Sequence, residues 1–460
     1  MTLRTINRSM YLLLLLGASL LAGCDSFLDE TPDKKLALPD TLPDLQALLD
    51  YYGNLNEDDP AGSAETSADN YYLPTATWAA MSNEAERRKY TWEQDGLFRI
   101  GYRPNDWYEC YGTIYYANTV LEALPGIPRT PANAATWDNL RGQAAYYRGQ
   151  ALLKAAINWT LAYDAATAAR DLGLPLPRAT DFNATLTRSS VQQTYDLVLE
   201  DLQTAASLLP VTVPHVMRPC RAAAYALLAR TALAMRRYPE AGAYADSSLQ
   251  LADQLLDYNT LSPTASYPIP RFNTEVLHES LFGAPQPLTP SRARIDTVLY
   301  GLYAADDLRK TLFFKSTPDG GHSFRGSYDG AGSSFFAGAA TDEVYLVQAE
   351  CRARAGDVTG ALASLNTLLR HRWRTGTFTD LTAADAQEAL ALVLQERRKE
   401  LLLRGLRWMD IKRLNKEGAG ITLRRILDGQ TFVLAPGDPR FALPLPEDVL
   451  ELSGMPQNPR

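Results

Sequence analysis

Residues 341–370 read TDEVYLVQAECRARAGDVTGALASLNTLLR, and the fold class follows from how this stretch is read. Val358, Ala361, Leu365 and Leu368 recur at spacings of three and four, which puts them on one face of a helix. Gly356-Asp357 punctuates the run before them, so residues 341–373 read as two helices joined by a turn. Ala349 precedes Ala361 by twelve residues, and small side chains at both positions let two antiparallel helices approach closely. The same arrangement occurs upstream, within residues 218–257. There Ala229 precedes Ala241 by twelve residues, with a turn at Arg237-Tyr238-Pro239. Further helical faces come from Val191, Tyr195, Val198, Leu202, Ala205 and Leu209, from Ala144, Tyr147, Ala151 and Ala155, and from Leu390, Val393, Leu394 and Leu401. Ser189 with Gln192, and Thr382 with Asp385, fit the pattern of capping boxes. The expected fold is all-α with little β structure.

The two helix pairs resemble the tetratricopeptide repeat, a helix–turn–helix unit of about 34 residues. They are divergent and not contiguous, and the plainer source of so many alanines is helix propensity. Long irregular stretches separate the helices, notably 258–295 and 313–341. The second holds Phe324, Tyr328, Phe335 and Phe336 among glycines. Loops this long in a compact domain are usually functional or mobile.

The N-terminus carries a different signal. Arg4 and Arg8 precede an apolar run from Met10 to Leu21, too short to span a bilayer comfortably and suited to a signal-peptide core. It ends in Leu21-Ala22-Gly23-Cys24, which resembles the bacterial lipobox. That resemblance implies cleavage after residue 23 and lipidation of Cys24; two or more acyl chains are needed for stable anchoring. Residues 1–23 are therefore expected as signal peptide. Residues 24–70 read as a tether and entry segment interrupted by Pro32, Pro39 and Pro43, with a short helix near Leu45 to Leu49 and loop over 53–70. Residues 71–460 are expected as the helical domain.

Of 460 residues, 46% are hydrophobic and 21% charged, an ordinary globular balance. The net charge of −8 argues against nucleic acid as a partner, which rewards basic surfaces. Cys110, Cys220 and Cys351 are odd in number and far apart, so buried free thiols are expected. The four histidines, His215, His278, His322 and His371, show no metal-ligand spacing, and no Cys-x-x-Cys occurs. Gly321-His322-Ser323-Phe324-Arg325 has Arg325 where a nucleophile elbow needs glycine. Gly330-Ala331-Gly332 lacks the third glycine of a dinucleotide fingerprint. No cofactor, metal or catalytic residue is expected. A paired-carboxylate glycosidase is the remaining enzymatic reading.

Three groups of motifs carry a family resemblance. Thr341 to Leu346 with Ala349-Glu350-Cys351 is one, and Glu396-Arg397-Arg398-Lys399-Glu400-Leu401 running into Arg404 to Arg413 is another. The close, Phe441 to Pro446 and Gln457-Asn458-Pro459, is the third. Together with Tyr115 to Leu121 and Arg141 to Gly149, they resemble the RagB/SusD family of outer-membrane nutrient-binding lipoproteins. The resemblance implies a non-catalytic helical domain that sits on a SusC-like, TonB-dependent transporter and captures an oligosaccharide or peptide. It implies a cell-surface position on the outer membrane. A structural reading stands beside it: Glu400 and Arg404 can pair on one helix face, with Trp408 packed under an arginine.

Sugars present C–H faces to aromatic rings and hydroxyl edges to polar groups. Asp69, Asn70, Tyr71, Tyr72 and Trp78 offer both in a loop context and are the candidate ligand site. Trp92 and the 313–341 loop add aromatics, each of which is more often core. The alternatives are a tetratricopeptide-type envelope scaffold without a nutrient ligand and a surface glycoside hydrolase.

Overall fold

The computed structural model describes residues 39–98, 105–181 and 183–460. Cys24 and the signal peptide lie outside the described residues. Thirteen helices organise the described chain from residue 42 onward, here numbered α1 to α13. They are α1 (Leu42–Leu49), α2 (Gly62–Ser67), α3 (Glu84–Tyr90), α4 (Asp106–Ala123), α5 (Ala134–Trp159), α6 (Val191–Leu208), α7 (Arg221–Ala234), α8 (Tyr238–Leu249), α9 (Thr341–Arg354), α10 (Val358–Arg370), α11 (Ala386–Glu400), α12 (Arg407–Asn415) and α13 (Glu447–Ser453). Short helical turns at Thr75–Ala79, Thr297–Gly301 and Arg309–Leu312 lie between them. From α4 to α10 each helix packs on the next, and α9 also meets α11. Among the described residues the strands are short and form antiparallel pairs only, the longest being the hairpin Leu423–Leu427 with Gln430–Leu434.

The helix pairs read from the alanine spacing are present as α7/α8 and α9/α10. Ala229, Ala241, Ala349 and Ala361 are all fully buried. Close approach recurs where glycine replaces alanine. A Cβ on Gly149 of α5 would stand 3.0 Å from Leu202 of α6, and one on Gly242 of α8 would stand 3.1 Å from Cys351 of α9. Cys110, Cys220 and Cys351 are buried free thiols.

Several local expectations are corrected. The capping box of α6 is Ser190 with Gln193, one residue beyond the expected pair. Asp385 is itself the N-cap of α11, because its carboxylate accepts the Glu388 N–H at 2.9 Å. Residues 53–70 are not loop: a wide helical turn, Gly53–Glu57, and α2 occupy them. Leu45, Leu49, Leu55 and Ala64 join the same core as α4 to α8, so the packed body begins at residue 42 rather than 71. The aromatics of 313–341 are interior. Phe313, Phe314, Phe324, Tyr328, Phe335 and Phe336 belong to a second apolar cluster, several of them on short antiparallel strand pairs.

Glu400 and Arg404 do not pair, because α11 ends at Glu400. Glu400 binds Arg309 at 2.8 Å and Arg372 at 2.7 Å, while Arg404 binds Asp342 at 3.0 Å. Trp408 packs on Phe441 at 4.8 Å and donates to its carbonyl, rather than lying under an arginine. Arg397 and Arg413 share Asp410, and Arg413 also grips Glu350 of α9. The charged run 396–413 is thus a buried ionic web that ties α9, α11 and α12 together.

Candidate functional site

Helix α4 opens with Asn105, whose side chain accepts the Tyr108 N–H at 3.0 Å. From that cap, Tyr108, Tyr111 and Tyr115 follow at spacings of three and four and so line one helical face. Tyr108 is 46% exposed and Tyr115 38%, unusual values for large rings on a helix that is otherwise packed. Trp107 stacks on Tyr111 with ring centroids 4.5 Å apart. The Tyr111 hydroxyl donates to the Pro175 carbonyl at 2.9 Å, which fixes the ring, and burial pushes its pKa well above the ordinary phenol value.

The opposite wall comes from the end of α1. Asp50 accepts two hydrogen bonds from Arg218, at 2.6 and 2.8 Å, and Tyr51 follows at a fixed place beside Tyr116, 5.6 Å between ring centroids. Gly112 lets the turn at Asn54 come close: a Cβ there would stand 3.2 Å from the Asn54 amide nitrogen. Pro446, Asp448 and Val449, at the start of α13, close the third side. Asn458 returns the tail to the core by donating to the carbonyls of Trp159 and Leu443 at 2.8 and 2.7 Å, and so holds α13 in place. The result is a cleft of ≈ 550 Å³ walled by Tyr51, Tyr108, Tyr111, Tyr115 and Tyr116 and edged by Asn54, Asn105 and Asp448. Rings with polar edges can hold sugar C–H faces and hydroxyls respectively.

Two polar clefts adjoin it. One of ≈ 370 Å³ shares Asn105 with the aromatic cleft. It shares Asn83, Ala85, Phe98 and Gln286 with another of ≈ 970 Å³, which runs past Arg88 and Asp95 to Glu447. Among the described residues no group of three or more histidine, cysteine or acidic side chains is arranged to hold a metal ion.

The five candidate residues of 69–78 do not form one surface. Asp69 binds Arg407 through two hydrogen bonds of 2.7 and 2.9 Å and meets Arg398 at 3.3 Å. Burial alone would raise its pKa, but these arginines outweigh that and hold it at about 2. Asn70 is buried and donates to Glu65 at 3.2 Å; Tyr71 is buried and donates to the Thr66 carbonyl at 2.7 Å. Tyr72 is 37% exposed, and Trp78 is half-buried with its indole N–H 3.4 Å from the Arg87 carbonyl. Trp92 is buried. Of the five only Tyr72 is exposed, Asp69 and Trp78 are partly buried, and none of them lines the aromatic cleft. Sequence reasoning passed over Tyr51, Tyr108 and Tyr111. The available signal was the three-and-four spacing of tyrosines just after an Asn cap.

Fold and cleft together define a helix-rich protein of tetratricopeptide-type pairs with an open aromatic cleft at one helix start. The family model described as "Starch-binding associating with outer membrane" matches residues 26–233, and that of the SusD family matches residues 342–427. The chain belongs to the SusD/RagB family. Among solved structures, a SusD superfamily protein from Bacteroides thetaiotaomicron superposes with a TM-score of 0.73 at 20% identity, covering 91% of this chain and 100% of its own. One from Bacteroides vulgatus gives 0.73 at 20% identity over 91% and 99%. A SusD-like carbohydrate binding protein from the same species gives 0.65 at 19% over 90% and 96%. A comparison with curated proteins finds no match.

Proposed function

We propose that this chain is a non-catalytic binding protein that captures an oligosaccharide in the aromatic cleft and hands it to a SusC-like, TonB-dependent transporter. The observation that carries the reading is the ring-lined cleft of Tyr51, Tyr108, Tyr111, Tyr115 and Tyr116 with amide and carboxylate edges. The family description as starch-binding and the naming of one structural neighbour as a carbohydrate binding protein support a glycan over a peptide. Lipid on Cys24 would hold the protein at the outer membrane, with the residues before 42 as tether. No described helix is long and apolar enough to cross a membrane.

Calorimetric titration with a panel of oligosaccharides tests the reading. Tyr108→Ala and Tyr115→Ala are each expected to weaken binding about fivefold to tenfold, since an aromatic contact contributes roughly 1 kcal/mol beyond area burial. Tyr72→Ala serves as the comparison. If it alone weakens binding and the α4 variants do not, the site lies in the 69–78 patch instead. Gentle detergent extraction is expected to bring down a large outer-membrane barrel with the lipidated protein.

A further inference from the structure

We propose that the aromatic cleft selects glycans whose chains run as flat, extended ribbons, the geometry of cellulose, xylan and mannan, over coiled chains such as amylose. The proposal rests on the oligosaccharide reading and narrows it to a linkage class. Tyr108 and Tyr115 are seven residues apart on α4, close to two full turns. They therefore lie on one side of the helix, with their Cα atoms about 10.5 Å apart along its axis. Helical side chains all lean toward the N-terminus, so the two rings keep about that spacing. Both rings are exposed, and both line the cleft.

Between them the same face is open. Gly112 stands four residues after Tyr108 and three before Tyr115, so it shares their side of the helix and puts no side chain there. The Asn54 carboxamide lies beside this gap, 3.2 Å from where a Cβ on Gly112 would be. Asn54 is half-buried, and among the described residues only its backbone groups take part in hydrogen bonds. Tyr111 is held aside, its ring stacked on Trp107 and its hydroxyl tied to the Pro175 carbonyl. The order along α4 is thus ring, open gap with an amide beside it, ring.

A flat-ribbon glycan turns over at every sugar, so alternate sugars present the same C–H face along a straight line. Its disaccharide repeat is about as long as two turns of α-helix. Alternate sugars then lie over Tyr108 and Tyr115, and the sugar between them crosses Gly112 with its hydroxyls toward Asn54. An amide both donates to and accepts from hydroxyls. Tyr51 and Val449, on the other sides of the cleft, offer apolar contact to the second face of the ribbon. A coiled chain swings its successive faces off a straight line, so it stacks on one of the two α4 rings at a time.

The test is calorimetric titration of the mature chain with di-, tri- and hexasaccharides of the cello, xylo, manno and malto series. At hexasaccharide length, at least one ribbon series is expected to bind about tenfold more tightly than the malto series. The trisaccharide is the shortest ribbon that reaches both rings, so affinity is expected to rise about fivefold to tenfold from disaccharide to trisaccharide. Tyr108→Ala and Tyr115→Ala each remove that step, while Tyr72→Ala leaves it. All three rings are exposed, and circular dichroism checks that the variants fold. Malto-oligosaccharides bound as tightly as every ribbon series, or more tightly, overturn the proposal while the carbohydrate reading stands. So does a ribbon series with no step at the trisaccharide, or a step that survives either α4 substitution. Binding of no glycan removes the carbohydrate reading and this proposal with it.

Discussion

Asp69 shows how a residue type suited to binding can be used for stability. Its carboxylate sits in a fork of Arg407 with Arg398 nearby, 19% exposed at the side chain. Breaking a buried pair by removing one charge costs about 3–5 kcal/mol, because the partner is left uncompensated. Asp69→Asn is therefore expected to lower stability by about 3 kcal/mol at neutral pH in urea unfolding. The pKa is held at about 2, below the ordinary 3.8, so the stabilisation is present above pH 3.8 and is lost as pH falls toward about 2. The gap between Asp69→Asn and the parent should accordingly narrow over that window and be largest at neutral pH. Nothing local marks Asp69 for this role: Arg407 lies 338 residues away in the chain.

At the scale of elements, helix ends and helix contacts were read with different success. Apolar periodicity located α6, α10 and α11 because burying one apolar face outweighs the weaker local preferences and recurs every turn. The caps slipped by one to three residues, because Ser189 and Ser190 both satisfy the pattern and only backbone direction chooses between them. Ser190 is the N-cap, with its hydroxyl accepting the Gln193 N–H at 3.1 Å and the Gln193 side chain accepting the Ser190 N–H at 2.9 Å. Ser190→Ala should cost about 1 kcal/mol, and Ser189→Ala markedly less, by thermal unfolding. Equal losses would contradict the assignment. The aromatic-rich segment 313–341 misled in the opposite sense. Its rings sit on short paired strands and fill the second core, a use that glycine-rich spacing cannot distinguish from a binding loop.

Across the whole molecule, the helical array and the loop-built layer are joined by charge. Arg372, fully buried, binds Glu275 of the loop layer at 2.6 Å and Glu400 of α11 at 2.7 Å, and donates to the Leu256 carbonyl at 2.9 Å. Arg372→Met should lower stability by about 3–5 kcal/mol, since the buried Glu275 carboxylate loses its counter-charge while Glu400 is left with Arg309 alone. Chemical unfolding followed by circular dichroism and by tryptophan fluorescence checks this, and a change under about 1 kcal/mol would count against the web as a structural tie. The all-α class, the paired helices and the buried thiols were legible in the sequence, because helical periodicity and small residues at close contacts are local patterns. The family was legible because its motifs recur in order along the chain; in this structure they build the ionic web. The cleft was not legible. Its walls come from residues 51–54, 105–116 and 446–449, which no spacing rule connects, and each tyrosine taken singly reads as core. By itself the sequence determined which segments are helices and which faces they bury, since those follow from interactions a few residues apart. Only the tertiary structure decided that Asp69, Asn70 and Tyr71 face inward while Tyr108 and Tyr115 face outward, because exposure depends on which distant segment covers a residue.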